Sequence, residues 1–158
     1  MTAIRKFVVF SLLIALIGIA AGCAGSDKNV TINLEALANS ILEQTLFEDT
    51  LSLIDNISLE INFGVKPETI EESLVYMGTG ATAEMIAFFK VAPDTDVSEV
   101  IKTLEVYLSD SESAWDDYNP AAYDMVKQTT IVKKGRYLLI CITPDKAVFE
   151  KAVEAALE

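Results

Sequence analysis

The spacing of apolar residues divides the chain into helical and extended segments. Apolar side chains recur at helical intervals in residues 33 to about 46, 97 to about 115, and 149 to 156, which predicts amphipathic helices there, the last one starting at residues 143–145. Asn33 and Asp96 precede the first two helices, where their side chains suit the N-cap position. We expect the long central helix to end before Asn119 and Pro120, because the residue before a proline is disfavoured in helical conformation.

Short β-rich runs lie between these helices, and tight turns join them in pairs. The pattern predicts strands at residues 74–77, 85–91, 129–133 and 137–143. Residues 78–81 and 134–136 form the turns, and Gly135 suits a positive φ in the second. Strands joined in this way pair antiparallel, and amphipathic helices need a sheet to cover. We therefore predict an α+β domain: a four-stranded antiparallel sheet built from two strand-strand-helix units, helices packed on one face, plus an N-terminal helix.

The segment between the first helix and the first hairpin has a mixed pattern. Residues 51–60 fit helical spacing at one end and strand alternation at the other, and we interpret them as weakly helical. Pro67 followed by Glu68 is typical of a helix start, which predicts a single turn that ends near Glu72. The first strand of the sheet then begins at Leu74.

Residues 1–22 have the three parts of an export signal: Arg5 and Lys6, an apolar core, and small residues at the end. A core of about 15 residues reaches about 22 Å, which is less than the roughly 30 Å of hydrocarbon in a bilayer. The length therefore favours a cleaved signal over a permanent membrane span. Such a signal can also direct attachment of the mature chain to a membrane. An ordinary secretory signal and an uncleaved leader helix are the alternatives.

The leader ends in a glycine followed by Cys23, and this pair resembles the lipobox of bacterial lipoproteins, with Ala20 at the position where leucine is commonest. The resemblance implies that Cys23 receives a diacylglyceryl group and becomes the first residue of the mature chain. Two acyl chains hold a protein stably on a membrane where one does not. The predicted organisation is a signal peptide at residues 1–22, a lipidated cysteine and flexible tether at 23–32, and a single domain at 33–158.

Charge limits the partners of this chain. All 24 acidic residues follow the leader. Cleavage of the leader removes Arg5 and Lys6, so the mature chain carries a formal charge of −14. Such a surface repels nucleic acid and anionic lipid head groups. We therefore expect no nucleic-acid partner, and we expect membrane contact to run through the lipid on Cys23.

The cysteine and histidine counts exclude several kinds of chemistry. The chain has two cysteines and no histidine. With Cys23 lipidated, Cys141 has no disulfide partner, and its apolar surroundings in residues 137–143 are typical of a small buried hydrophobe. The chain lacks the histidine that commonly activates a nucleophile or binds zinc. Lysine and carboxylate bases remain, but we predict no catalytic residue and no cofactor.

Oxygen ligands are concentrated in residues 110–124, which raises the possibility of a Ca²⁺ site. The candidate ligands in this acidic segment are Asp110, Glu112, Asp116 and Asp117. An EF-hand loop counted from Asp110 needs glycine and a bidentate acid where this chain has Trp115 and Ala121. A solvated helix end above packed aromatic residues is the alternative interpretation, and we favour it.

Three other segments have both a functional and a structural interpretation. Residues 78–82 are rich in glycine and threonine, but they lack the lysine of a phosphate-binding loop, and a hairpin turn fits them better. The acid pairs at 71–72 and 116–117 are compatible with a glycosidase-like hydrolase, although adjacent acids are expected by chance in so acidic a chain. A basic cluster of Lys133, Lys134 and Arg136 suits either an acidic partner or a solvated turn.

Three stretches are similar to a domain of unknown function found in small lipoproteins of Gram-positive bacteria. They are Ala-Glu-Met-Ile-Ala-Phe-Phe-Lys at residues 83–90, Tyr-Asn-Pro at 118–120, and Lys-Gly-Arg-Tyr-Leu-Leu-Ile at 134–140. Met85 stands where that family frequently has a second acidic residue. The resemblance covers about residues 34–157, implies no activity, and agrees with an anchor at Cys23.

The leading hypothesis for function is a non-enzymatic, lipid-anchored extracytoplasmic domain that binds a protein or a cell-envelope partner. One alternative is a protein that binds a solute or a divalent cation through residues 110–124. Another alternative is an envelope hydrolase that uses carboxylates.

Overall fold

A computed structural model describes residues 30–55 and 58–158, and its centre is one antiparallel sheet. The sheet has five strands in the order β1-β2-β3-β5-β4. Their bounds are Ser52–Leu53 for β1, Ile70–Met77 for β2, Met85–Val91 for β3, Val132–Lys134 for β4 and Tyr137–Ile142 for β5. The short strands β1 and β4 form the two edges, which limits the backbone open to pairing with another chain.

Five α-helices accompany the sheet in the part of the chain that the structure describes. They are α1 at Leu34–Gln44, α2 at Ser58–Phe63, α3 at Val97–Trp115, α4 at Pro120–Lys127 and α5 at Lys146–Ala155. The predicted caps are present: the Asn33 side chain accepts from the Ala36 N–H at 2.9 Å, and Asp96 accepts from the Ser98 N–H at 2.9 Å. A helix loses about 0.5–2 kcal/mol when such a cap is replaced by alanine.

The helices pack on both faces of the sheet, so the prediction that they share one face is wrong. On one face, buried residues of α2, α3 and α4 join those of the sheet in a single cluster. On the other face, buried residues of α1 and α5 form a second cluster. The reason lies in β3 and β5, where consecutive residues are buried and point alternately into the two clusters. A strand that is apolar on both sides needs a cover on both sides.

The sheet has a fifth strand, and this corrects the predicted four. The segment 51–60 does not form one weak helix: Ser52–Leu53 pairs with the end of β2, and a helix begins only at Ser58. Leu51 packs into one core cluster and Ile54 into the other, as expected for an extended chain at a sheet edge. Pairing with β2 therefore outweighed the local helical spacing.

Three further boundaries differ from the prediction, the first being β4, which spans Val132–Lys134 instead of residues 129–133. The turn that begins at Pro67 is a 3₁₀ turn of Pro67–Thr69, so β2 begins at Ile70 instead of Leu74. Residues 120–127 form α4, which was not predicted because the proline was interpreted only as the end of α3. Asn119 caps this helix, and its side chain accepts from the N–H groups of Ala121 and Ala122. Asn followed by Pro is also a helix start.

Candidate functional site

The predicted leader 1–22 and lipidation site Cys23 lie outside the described residues, so lipidation stays a prediction. Ile32, at the end of the segment 23–32 that was predicted as a tether, is buried beside α1 and α5. No helix in residues 30–55 and 58–158 is long and apolar enough to cross a membrane.

The acidic candidates for Ca²⁺ do not come together. Asp110 and Glu112 lie on α3, Asp116 follows its last residue, and Asp117 lies in the turn before α4. Within residues 30–55 and 58–158, no group of three or more acidic or cysteine side chains is placed to hold a metal ion. The aromatic residues of this segment do meet, because the rings of Trp115 and Tyr118 lie 5.6 Å apart.

Cys141 is buried in β5, inside the cluster under α1 and α5. Burial raises the pKa of its thiol to about 12, against a smaller opposite effect of the hydrogen bond with Thr143. A thiol with this pKa is protonated at neutral pH and is a poor nucleophile. Cys141 lines a cavity of about 150 Å³ near the start of α5, beside Thr143 and Phe149.

The basic cluster at the tip of the second hairpin is partly used by the fold. Arg136 Nε donates to the Val91 carbonyl at 2.9 Å, and Nη2 donates to the carbonyls of Ala92 and Thr95, the latter at 2.7 Å. These bonds fasten the chain between β3 and α3, so Arg136 is not available as a free charge. Lys133 is exposed. As predicted, Gly135 has a positive φ, of 59°.

A buried carboxylate that the sequence analysis did not single out organises the loop after α1. Glu84 is 3% exposed, and its two oxygens accept from the N–H groups of Glu48 at 2.9 Å and Asp49 at 2.7 Å. The Thr82 hydroxyl adds a third hydrogen bond at 3.0 Å. Buried carboxylates are unfavourable unless hydrogen bonds satisfy them. Glu84 is therefore a structural residue that fixes the path from α1 to β1.

The glycine-rich turn before β3 holds a side chain of the same protein. The N–H of Thr79 donates to Asp49 Oδ2 at 2.6 Å, and the Thr79 hydroxyl lies 2.9 Å from the same oxygen. Desolvation acts to raise the pKa of Asp49, but the hydrogen bonds from Thr79 and nearby backbone N–H groups together lower it. A Cβ at Gly78 would lie only 2.6 Å from Asp49 Oδ2. As predicted, this segment is a hairpin turn between β2 and β3, and its hydrogen bonds to Asp49 were not foreseen.

An open groove lies between α2 and α3, and we call it the α2–α3 groove. It has a volume of about 700 Å³, and residues that line it include Ile61, Phe63, Val106, Tyr107, Asp110 and Ala114. The Phe63 ring packs against Tyr107, with centroids 4.7 Å apart, and edge-on against Phe89 at 5.6 Å. The Tyr107 hydroxyl lies 3.5 Å from Met85 Sδ, and burial raises its pKa. Aromatic packing therefore gives the groove a fixed floor.

The walls of the groove expose apolar side chains to solvent. Ile61 on α2 is 85% exposed, and Val106 on α3 is 61% exposed. Each lies off the core-facing stripe of its helix: Leu59 and Phe63 are buried on either side of Ile61, and Leu104 is buried near Val106. Apolar residues off the buried stripe were the available sequence signal for this surface. Scattered exposed apolar residues are ordinary, but two that border one groove are a candidate contact surface.

A smaller cleft of about 220 Å³ lies next to the groove along α3. Gly64 and Thr103 line both spaces. Gly64 ends α2 with a φ of 67°, and a Cβ there would contact the Thr103 methyl group at 3.5 Å. Because this glycine turns the chain sharply after Phe63, the segment from α2 to the Pro67–Thr69 turn can follow α3 closely.

The family model described as a domain of unknown function, DUF4358, matches residues 46–143. This is more than half of the chain, and the chain belongs to this family. The matched span contains the whole sheet, α2 to α4, and the α2–α3 groove. No curated protein and no solved structure matches the chain.

Proposed function

We propose that this member of the DUF4358 family is a non-enzymatic binding domain, held on the extracytoplasmic face of a cell membrane by lipid on Cys23. Its partner is a protein or another component of the cell envelope. The observation that carries the binding proposal is the α2–α3 groove, where exposed Ile61 and Val106 border an aromatic floor.

Burial of the groove walls provides the driving force for binding. Removing apolar surface from water contributes about 25 cal/mol per Å², and fully burying a valine or isoleucine side chain contributes about 1.5–3 kcal/mol. Folding of the isolated domain does not realise most of this contribution for Ile61 and Val106, because both side chains remain mainly exposed. A partner that covers both side chains gains it on binding.

Residue chemistry supports a binding role over catalysis. The chain has no histidine, and the thiol of Cys141 is buried and protonated at neutral pH. The buried carboxylate Glu84 is occupied by the hydrogen bonds that fix the loop after α1. The lipobox-like end of the leader supports anchoring, and a formal charge of −14 leaves the lipid as the natural means of membrane contact.

Site-specific photo-crosslinking in intact cells tests the binding role. We expect a benzophenone amino acid at position 106 to give a discrete adduct, since this position lies in the groove wall. The matched control is the same amino acid at Lys151, an exposed position of α5 on the opposite layer. An adduct that forms equally from both positions, or from neither, would contradict a binding role for the groove.

Metabolic labelling tests the anchor separately. We expect the wild-type chain to incorporate a radioactive fatty acid and the Cys23→Ala variant to lose the label. The matched control is Cys141→Ala, which removes the other cysteine and should leave labelling unchanged. Equal labelling of wild type and Cys23→Ala would overturn the anchoring proposal.

A further inference from the structure

We infer that the α2–α3 groove binds a basic amphipathic helix of a partner protein. This inference rests on the proposed function and specifies the chemistry of the partner. It draws on the length of the groove, the placement of its apolar residues, and the charges at its rim.

The length of the groove suits a helical segment. The groove is lined along α3 from Thr103 to Ala114, and Gly64 and Thr103 lie between it and the smaller cleft. At a rise of about 1.5 Å per residue, this span is about 17 Å long, or about three helical turns. Recognition of a helix in a groove uses apolar anchors spaced along one face of the helix. A small solute would leave most of so long and open a surface wet.

The apolar residues lie where such anchors would pack. Ile61 and Val106 are exposed on two different helices of the same groove. Phe63 and Tyr107 form the floor with a ring separation of 4.7 Å. Two walls and an aromatic floor can enclose the apolar ridge of a helix on three sides. A flat membrane surface cannot enter such a groove.

The acidic residues that line the groove favour a positively charged partner. Glu60 and Asp110 line the α2–α3 groove, and no lysine or arginine is among its lining residues in the part of the chain that the structure describes. A basic helix places its lysine or arginine side chains beside these acids, and opposite potentials favour both encounter and docking. A second copy of this chain is disfavoured because the mature domain has a formal charge of −14. An anionic lipid surface is disfavoured for the same reason.

The test uses the full-length chain in phosphatidylcholine nanodiscs and a fluorescein-labelled synthetic peptide of 18 residues or so, about five helical turns long. The peptide has leucine at helical spacing and lysine elsewhere. One control peptide has glutamate in place of every lysine, and a second has the same composition in scrambled order. We expect saturable binding of the ordered lysine peptide by fluorescence anisotropy, with at least about tenfold weaker binding of both controls.

Matched variants separate docking in the groove from general attraction to an acidic protein. We expect the double variant Glu60→Gln, Asp110→Asn to weaken binding about fivefold. The double variant Glu150→Gln, Glu154→Gln removes the same charge from exposed positions of α5 and should change binding less than about twofold. Equal weakening by both double variants would overturn the inference, because the attraction would then be non-specific.

A second pair of variants tests the apolar anchors. Val106→Asp should weaken binding of the lysine peptide at least about tenfold, even though it adds a favourable charge. Leu46→Asp makes a similar change at an exposed position outside the groove and should leave binding unchanged. All these positions are exposed, so thermal unfolding should show that the variants fold like the wild type. Unchanged binding by Val106→Asp would contradict docking in the groove.

The outcome can be distinguished from failure of the proposed function. If neither charged peptide binds but crosslinking from position 106 still gives its adduct, the binding role stands and a basic helix is the wrong partner. If that adduct has twice the mass of the chain, the occupant is a second copy and the inference is wrong. If the lysine peptide does not bind and no adduct forms from position 106, both the inference and the proposed function are wrong.

Discussion

The two helical layers cover the same sheet in different ways. In the layer of α1 and α5, no residue of either helix is among the large apolar side chains that are exposed in residues 30–55 and 58–158. In the layer of α2, α3 and α4, the exposed residues Ile61 and Val106 lie on two helices that border one groove. We call the first layer closed, because neither of its helices exposes a large apolar side chain, and the second layer open.

The difference shows how a binding surface can be added without weakening the core. The sheet residues under the open layer are as well buried as those under the closed layer, and Phe88 and Phe89 point to opposite faces with full burial. Only residues above the core differ. Core burial therefore stabilises the fold on both faces, and the exposed residues of the open layer are free to serve a partner.

The largest expected effect separates core from groove within one helix. Leu104 is fully buried, whereas Val106 two positions later is mainly exposed. We expect Leu104→Ala to lower the free energy of unfolding by about 2–5 kcal/mol, because it removes packed atoms and leaves a cavity. Val106→Ala should change it by less than about 0.5 kcal/mol. Urea denaturation measures both values, and similar losses for the two variants would show that the groove wall is part of the core.

The next effect concerns the loop that leaves the closed layer. Glu84→Ala removes the acceptor for the N–H groups of Glu48 and Asp49 and the partner of the Thr82 hydroxyl. We expect a loss of about 2–3 kcal/mol in the free energy of unfolding, because hydrogen bonds to a charged group are strong and all three donors lose their acceptor.

The matched control for this loop is Glu150→Ala, at an exposed acidic position on α5. It should change the free energy of unfolding by less than about 0.5 kcal/mol. Hydrogen exchange offers a local check, because the amides of Glu48 and Asp49 should lose protection in Glu84→Ala. A variant as stable as wild type would show that this loop does not depend on the carboxylate.

A smaller effect is the pH dependence of stability that the burial of Cys141 in the closed layer should cause. Burial raises the pKa of Cys141 from an ordinary value of 9.0 to about 12. Above pH 9 the unfolded chain loses the thiol proton while the folded chain keeps it, so this contribution to stability is complete below pH 9 and is lost as pH rises towards 12. At pH 10 the wild type should have lost about 1.4 kcal/mol that Cys141→Ala does not lose.

The measurement is the difference in unfolding free energy between wild type and Cys141→Ala at pH 8 and pH 10, from urea denaturation in reducing buffer. Other groups titrate in both proteins and cancel in this difference. A difference that is the same at both pH values would mean that the thiol is accessible to solvent in the folded state.

The sequence was informative wherever local spacing and packing agree. The stripe on α3, its Asp96 cap and the hairpin turn at Gly135 were predicted because each depends on nearby residues. The second helical layer was missed, although the unbroken apolar runs of β3 and β5 indicated a sheet buried on both faces. A hairpin pattern alone does not say how many faces are covered.

The edge strand and the groove depend on contacts between distant segments. Ser52–Leu53 is extended because it pairs with β2, and its own residues do not specify this. Likewise, Ile61 and Val106 lie far apart in sequence, and only the packing of α2 beside α3 makes them neighbours of one groove. The sequence could therefore have marked each residue as apolar and off the buried stripe, but it could not have shown that the two residues border one site.

The smallest effect concerns α4, the helix of the open layer that was not predicted. Asn119 caps it by accepting from the N–H groups of Ala121 at 3.1 Å and Ala122 at 3.2 Å, and Pro120 fills the first helical position. We expect Asn119→Ala to lower the free energy of unfolding by about 1 kcal/mol, and Asn119→Asp, which keeps an acceptor oxygen, to lower it by less than about 0.5 kcal/mol. Urea denaturation of the two variants gives this comparison.

Because Ala122 and Val126 of α4 pack into the same cluster as the floor of the groove, a loss well above about 2 kcal/mol would show that α4 supports the open layer as a whole. Equal losses for alanine and aspartate would show instead that the cap is not what holds the start of this helix.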